Sequence, residues 1–318
     1  MRNILSSSLL CVFCALGTFG APLYAAPDDV IKNYLVDKIA ANVYVIHGPL
    51  GEPSVANQGF MNNPAWIVTR ESVVLIDPGS SVQAGRRIVQ AIKKTTHKPV
   101  SHVFITHVHG DHWLGNHAIL DTWPNAKLIA HPDMIAKAHA GEAKTWLSMM
   151  SRLTQGYTDG TRAEIPTIAA TDKQTFEIGE RRFTLHLSND AHSKTDMMIE
   201  VDGGILFTGD NVLNRRVARM DDGTFKGNLR VIDHALALPV KIIVPGHGKT
   251  GGRSLLTVQR EYFSTLFETV KTGYDDGKSD FEMKPAVVKK LSKFRNWHGF
   301  DTAVGKHISL AVLEIEQL

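Results

Sequence analysis

The residues best suited to chemistry in this chain are four metal-ligating side chains in one short segment. His107, His109, Asp111 and His112 fall within six consecutive positions. In an extended loop, side chains two positions apart point the same way, so His107 and His109 can bind one metal ion. The adjacent Asp111 and His112 point elsewhere and can bind a second ion. A polar loop that happens to be rich in histidine is the alternative, but the density and order favour a metal site.

Three further candidate ligands each follow a short apolar segment that we predict to be a strand. They are His192, Asp210 and His247. Ligands in open α/β sheets bind in a crevice beyond the strand ends, so we expect these loops to converge with the first segment there. Glycines beside Asp210 and His247 permit the close backbone approach that a small metal site needs.

Short apolar runs that alternate with helical patterns predict the elements that must hold these residues. Strands are predicted at 43–46, 66–68, 73–76, 103–105, 127–130, 183–187, 197–201, 205–207 and 242–244. Helices are predicted over 81–94, over 132–153 from Pro132 onward, and throughout most of the chain after about residue 254. Strands mixed with helices indicate an α/β fold built of layers.

The composition is that of an ordinary globular protein. The 318 residues are 43% hydrophobic and 21% charged, with 35 basic residues, 32 acidic residues and a net charge of +3. This near balance lacks the basic footprint of a nucleic-acid-binding protein, so no nucleic-acid partner is predicted. The 15 histidines are the unusual count, and they agree with metal or proton chemistry.

The first 25 residues have the layout of a secretory signal peptide. Arg2 is their only charge, an apolar stretch covers 4–19, and small residues surround the expected cut near Ala25. A membrane anchor is the alternative, but serines, glycines and a proline interrupt the stretch. We therefore predict a signal peptide over 1–25 and a periplasmic or secreted mature chain without stable membrane insertion. Both cysteines lie in the signal, which removes thiolate ligands and a cysteine nucleophile from the mature chain.

The order of the candidate ligands resembles that of a known family. A His-x-His-x-Asp-His motif followed by a histidine, an aspartate and a histidine is similar to the metallo-β-lactamase fold superfamily of metal-dependent hydrolases. The resemblance covers about residues 40–250 and implies an αβ/βα four-layer sandwich of two mixed sheets with outer helices. We expect one such domain over 26–318, with a C-terminal helical extension over about 254–318.

The family pattern also implies a role for each candidate ligand. It assigns one set to a first metal and another to a second metal. The first set is His107, His109 and His192, and the second is Asp111, His112 and His247. Asp210 bridges the two ions, and Asp77 supports the metal loop from behind without binding a metal.

Imidazole and carboxylate ligands without a thiolate suit zinc, with iron and manganese as alternatives. Two zinc ions are therefore the expected cofactors. Two such ions about 3.5–4 Å apart can hold a shared water, whose hydroxide serves as the nucleophile, so no serine or cysteine is required. Asp111 is the candidate catalytic residue, because a carboxylate there can orient that hydroxide and move its proton.

With an aspartate at position 210, the chain is more similar to the glyoxalase II, thioesterase and esterase branches than to zinc β-lactamases, which usually lack an aspartate there. The surrounding sequence resembles exported zinc hydrolases linked to quinoprotein and sulfur-oxidation systems. We therefore expect an exported hydrolase of an ester, thioester or amide-like bond in a small molecule. A mononuclear iron enzyme like the sulfur dioxygenases and a metal-binding partner of a periplasmic electron-transfer system are the alternatives. The physiological substrate and assembly into a homo-oligomer stay open.

Other residues near the motifs have two interpretations each. Arg215 and Arg216 are positioned after the Asp210 loop to meet an anionic substrate, with a solvated loop as the simpler interpretation. Trp297 and Phe300 are placed either to cap the cleft or to form a dimer contact. The remaining histidines near the motifs are interpreted as packed or hydrogen-bonded side chains. They are His117, His131 and His186.

Overall fold

Twelve strands form two sheets within residues 30–317, the part of the chain that the computed structural model describes. The strands of the first sheet are β1 (Val36–Ala40), β2 (Val43–Ile46), β3 (Ala65–Val68), β4 (Val73–Ile76), β5 (Val100–Phe104), β6 (Lys127–Ala130) and β7 (Ile168–Ala169). Those of the second are β8 (Thr175–Ile178), β9 (Arg181–Ser188), β10 (Asp196–Val201), β11 (Ile205–Phe207) and β12 (Ile242–Val244).

Nine α-helices accompany the strands in this part of the chain. They are α1 (Val82–Thr95), α2 (Gly110–Trp113), α3 (Asn116–Thr122), α4 (Pro132–Lys137), α5 (Ala143–Leu153), α6 (Phe225–Ala237), α7 (Ser254–Asp275), α8 (Asp280–Lys290) and α9 (Phe300–Ile315). Ser81 caps α1 by accepting a hydrogen bond from the Ala84 amide, which satisfies one of the free donors of the first turn.

Both sheets are mixed. The first has the order β1-β2-β3-β4-β5-β6-β7, antiparallel from β1 to β4 and parallel from β4 to β7. The second has the order β12-β11-β10-β9-β8, with a parallel pair only between β11 and β12. The parallel pairs matter for function, because their carboxyl ends lie at one edge and carry the candidate ligands.

The strands face apolar layers on both sides, which explains their continuous apolar sequences. In β4, Val74 and Ile76 point into the core between the two sheets, whereas Val73 and Leu75 point toward the helices outside. The inner core unites residues of both sheets, and separate outer cores lie beneath α1, α3 and α5 on one side and α6–α9 on the other. The predicted four-layer sandwich with a C-terminal helical region is confirmed.

The C-terminal helices form an outer layer of the second sheet. Leu256, Phe263 and Val304 share one buried cluster with Leu206 and Ile243 of the sheet. These helices therefore cover a face of the sheet that would otherwise expose apolar side chains to water.

One sequence-based expectation is corrected by the structure, and another lies outside the described residues. The single helix predicted over 132–153 is wrong, because a π-helical turn at Ala138–Glu142 separates α4 from α5 and Gly141 there has a φ of 126°. The predicted signal peptide over 1–25 lies outside the described residues. Within residues 30–317, no helix combines the length and apolar character needed to cross a membrane.

Candidate metal centre

The candidate ligands meet at the edge where the carboxyl ends of the parallel strands lie. The segment from His107 to His112 follows β5, and Asp77 follows the neighbouring parallel strand β4. Asp210 and His247 follow β11 and β12, which are also parallel neighbours. The Met197 amide donates a 2.7 Å hydrogen bond to the Thr106 carbonyl, which joins the two sheets at this edge.

The predicted residues form three overlapping groups whose potential ligand atoms lie within 4.8 Å of one another. The groups are His107 with His109 and His192, His107 with His112 and Asp210, and Asp111 with His112 and His247. All seven side chains are buried. The structure therefore brings together residues separated by up to 140 positions in the sequence, as metal-binding His/Asp clusters.

Asp210 lies between histidines from both predicted sets. Its Oδ1 is 3.3 Å from His112 Nε2, and its Oδ2 is 3.3 Å from His247 Nε2 and 3.7 Å from His192 Nε2. Gly246 permits this position, because a Cβ at that residue would lie 2.0 Å from Asp210 Oδ1. The glycine next to His247 is therefore needed for steric reasons.

Asp77 holds the metal loop by three hydrogen bonds. The Thr106 amide donates to Oδ1 at 2.9 Å, and the Thr106 hydroxyl donates to Oδ2 at 2.7 Å. His112 Nδ1 donates to the same Oδ2 at 2.7 Å, which turns Nε2 of that ring toward Asp111 and Asp210. This is the arrangement by which a carboxylate fixes the tautomer of a metal-ligating histidine.

Contacts behind the cluster also hold His247 and His192. His247 Nδ1 donates to the Met61 carbonyl at 2.8 Å, which leaves Nε2 facing Asp111 at 3.2 Å and Asp210 at 3.3 Å. The His192 amide donates to Asn211 Oδ1 at 3.3 Å, so the Asp210 turn supports the His192 loop. The orientation of the His247 ring is thus set by a backbone contact behind the cluster, whereas His192 is held through its backbone amide.

Asp222 is a residue of the site that sequence reasoning missed. His109 Nε2 donates to Asp222 Oδ2 at 3.1 Å, while His109 Nδ1 faces His192 Nε2 at 3.1 Å. The hydrogen bond from His109 lowers the pKa of Asp222, so the carboxylate is ionised. Position 222 belongs to no motif, and only the fold of the 211–222 segment brings it to His109.

The electrostatics of the cluster favour positive charge at its centre. Burial lowers the pKa of His192 to about 3, which keeps that imidazole neutral and its lone pair free. Burial acts most strongly to lower the pKa of His247, but the carboxylates of Asp210 and Asp111 together outweigh it and raise that pKa. The carboxylates of Asp111 and Asp210 likewise outweigh burial and raise the pKa of His112.

Several polar atoms of the cluster are suited to a cation. Nε2 of His107, Nε2 of His112 and Oδ1 of Asp210 are buried and make no hydrogen bond within residues 30–317. Buried polar atoms without partners are costly, so a fold that aims several at one point needs a compensating ligand. Imidazole and carboxylate donors of this kind fit a divalent transition metal.

A cleft of about 500 Å³ opens above the cluster. Asp111, Asp210 and His247 border its floor, together with His109. Of the two arginines considered from the sequence, Arg216 is buried in the cleft wall, whereas Arg215 is exposed and does not border the cleft.

The other side chains singled out in the sequence have structural contacts. Trp297 and Phe300 are buried in the outer helical layer and do not border the cleft. His117 accepts a hydrogen bond from the Arg162 amide, His131 accepts one from the Asp133 amide, and His186 pairs with Glu200. These three histidines are hydrogen-bonded, as their sequence context suggested.

Comparison with known proteins agrees with the fold. The family model of the metallo-β-lactamase superfamily matches residues 58–247, a region that contains Asp77 and all seven candidate ligands. The chain belongs to this superfamily. Its His/Asp clusters place a metal-binding site within the metallo-β-lactamase fold. No curated protein matches the chain at a significant level.

Solved structures show the same fold at low sequence identity. The stereoselective inverting sec-alkylsulfatase Pisa1 from Pseudomonas sp. has a TM-score of 0.69 at 16% identity, and the match covers 88% of this chain and 50% of that chain. This chain thus spans about half the length of that enzyme. A metallo-β-lactamase from Pontibacter korlensis has a TM-score of 0.56 at 19% identity, covering 73% of this chain and 99% of that one. One from Hirschia baltica has a TM-score of 0.52 at 20% identity, with coverages of 73% and 97%.

Proposed function

We propose that this chain is an exported dinuclear zinc hydrolase that cleaves an ester, thioester or amide-like bond in a small molecule. The observation that supports it is the position of Asp210, whose two oxygens lie 3.3–3.7 Å from histidines of both sets. In this proposal the first ion is held by His107, His109 and His192. The second is held by Asp111, His112 and His247, and Asp210 is shared.

When bound, two zinc ions supply a nucleophile from water at neutral pH and polarise the oxygen of the scissile bond. The residues of this chain position the attacking water and remove its proton. Asp111 borders the cleft, and its Oδ2 lies 3.3 Å from His112 Nε2 and 3.2 Å from His247 Nε2. Oδ2 is thus the oxygen that would face the second ion, and in the proposal the other oxygen of the carboxylate accepts a hydrogen bond from the attacking water and takes its proton.

The experiment that tests the proposal compares substrates beside a metal analysis. We expect the zinc-loaded protein to hydrolyse a thioester or an aryl ester faster than a cephalosporin at equal enzyme concentration, because an aspartate at position 210 is typical of the non-lactamase branches. Chelation should abolish the activity. A cephalosporin as by far the best substrate would overturn the branch assignment. A protein with one iron per chain that consumes oxygen with a persulfide would replace the hydrolase with the oxidoreductase alternative.

The two metal sites are expected to respond differently to single substitutions. His192→Ala should mainly weaken the first site and His247→Ala the second, because each ring belongs to one ligand group. The zinc content of each purified variant, measured after dialysis against a weak chelator, tests the assignment. His139→Ala is the control, since that histidine is exposed and belongs to none of the groups. Full occupancy of both sites in either variant would show that the ligand sets are wrong.

Export is proposed from the layout of residues 1–25. We expect the mature protein to begin near Ala26 in the periplasm, because a signal of this kind is removed after translocation. N-terminal sequencing of the protein purified from its native cells measures this directly. An intact Met1 on the cellular protein would contradict it.

A further inference from the structure

The cleft above the metal-binding cluster has one wall on each side of its floor. Helix α5 contributes Trp146, Met149 and Leu153 to one wall. The start of α9 contributes Thr302 and Ala303 to the other, so the C-terminal helical layer takes part in the site. Leu153 is 38% exposed and borders the cleft, so it offers apolar surface to a ligand there.

The cations that border the cleft are already paired with carboxylates. Arg216 contacts Glu52 at 2.8 Å, and Arg219 contacts Asp221 at 3.0 Å. Lys306 also contacts Asp221. An anionic group away from the metal cluster would therefore have to displace one of these carboxylates, whereas an apolar chain would lie against α5 without breaking an ion pair.

We propose that this cleft binds the aliphatic acyl chain of an uncharged ester or thioester, with the chain against Met149 and Leu153. The inference rests on the proposed hydrolase function and adds the class of substrate. A cleft of about 500 Å³ is in the range of sites that enclose small ligands. Each methylene that leaves water for the α5 wall should improve binding by about fourfold until the wall is covered.

The test measures kcat/KM on p-nitrophenyl esters from acetate to decanoate, for the wild type, Leu153→Asp and Leu313→Asp. Leu313 is the matched control, because it is a helical leucine that is 52% exposed and does not border the cleft. We expect kcat/KM to rise with chain length in the wild type and in Leu313→Asp. In Leu153→Asp, kcat/KM for the decanoate ester should be at least about tenfold lower than in the wild type, whereas kcat/KM for the acetate ester should change little.

A binding measurement keeps this inference separate from the hydrolase proposal. Calorimetric titration with 2-decanone and 2-butanone reports binding of the aliphatic chain without any bond cleavage. Only 2-decanone should bind to the wild type, and Leu153→Asp should lose this binding. Binding of 2-decanone without hydrolysis of any ester would support the cleft and overturn the proposed reaction. Equal behaviour of short and long chains in both experiments, or equal effects of the two leucine variants, would overturn the acyl-chain site.

A second inference rests on the contacts around His109. Asp222 contacts the edge of its ring at 3.1 Å, and Trp146 packs beside the ring in a tilted arrangement, with ring centroids 5.1 Å apart. Arg219 joins these two supports, since its guanidinium lies 5.7 Å from the Trp146 ring and 3.5 Å from Asp222. The three side chains leave the ring little freedom to rotate.

We infer that Asp222 is a positioning residue, which fixes the His109 tautomer so that Nδ1 faces the metal-binding cluster. With the proton held on Nε2 by Asp222, the lone pair of Nδ1 points toward His192. Outer partners of this kind typically change metal affinity by 10–100-fold when they are removed. Asp222 therefore acts on the first metal site through His109 and does not need to touch the substrate.

Two variants and a control test this role. Asp222→Ala should weaken zinc binding at the first site by about 10–100-fold in a chelator competition. It should also shift the visible absorption of the cobalt-substituted protein. Asp222→Asn should retain most of the affinity and the spectrum, because its amide oxygen still accepts from Nε2. Asp202→Asn is the control, since Asp202 is also 39% exposed and pairs with Arg181 far from the ligands. Wild-type affinity and an unchanged cobalt spectrum in Asp222→Ala would overturn the inference.

Discussion

Asp111→Asn is expected to lower kcat/KM on the best ester or thioester by about 10²–10⁴-fold, the range that a positioned acid–base group contributes. Asparagine keeps the size of the side chain, but its amide cannot take a proton from the attacking water. The Asp111 carboxylate lies 3.2 Å from His247 Nε2 and 3.3 Å from His112 Nε2, so the second metal site should also weaken. Rates are therefore measured at saturating zinc, with the metal content of the same sample determined in parallel.

The control for this experiment is Asp233→Asn. Asp233 is an exposed residue of α6 that pairs with Arg260, and it should leave both rate and metal content unchanged. An Asp111→Asn protein that holds two zinc ions and turns over within threefold of the wild type would show that Asp111 has no catalytic role.

Asp210→Ala is expected to lose both metal and turnover. Removing this side chain takes away the oxygens that lie near His112, His192 and His247. We expect the loss of zinc affinity to reach at least the 10–100-fold seen when outer ligand partners are removed, because a shared ligand disappears. At a zinc concentration 100 times its Kd, the wild type gains about 2.7 kcal/mol of stability, whereas a variant with 100-fold weaker binding gains only about 0.4 kcal/mol.

Thermal melting with and without zinc measures this difference, together with the zinc content after dialysis. Asp210→Asn should fall between the wild type and Asp210→Ala, because an amide oxygen can still bind a metal without the negative charge. Asp202→Ala serves as the surface control. Two retained ions and an undiminished rise in melting temperature for Asp210→Ala would rule out a shared position between the two sites.

The local sequence was sufficient for the elements whose signal is short-range. Val73–Ile76 and Ile205–Phe207 are strands with the bounds predicted. Each is a short apolar run, and the Asp-Pro-Gly or Thr-Gly sequence that follows it is a local signal that ends the strand. The break at Gly141 was not predicted, because the helical pattern resumes after it, although a glycine is the residue that permits the φ of 126° found there. Helix α6 was also missed, and its buried residues Phe225, Ile232 and Ala235 pack in the cluster between the second sheet and the outer helices.

The sequence by itself determined the chemistry of the centre. The spacing of histidines and an aspartate in 107–112 favours metal binding, and their order with His192, Asp210 and His247 indicates the family. Tertiary structure alone decided which further groups act with them. Asp222 and the α5 and α9 walls of the cleft come from segments with no motif, and they meet the centre only because two sheets and an outer helical layer pack there. Ligand identity is a local property of residue type, whereas the partners and substrate walls of a site depend on distant segments whose packing no short pattern encodes.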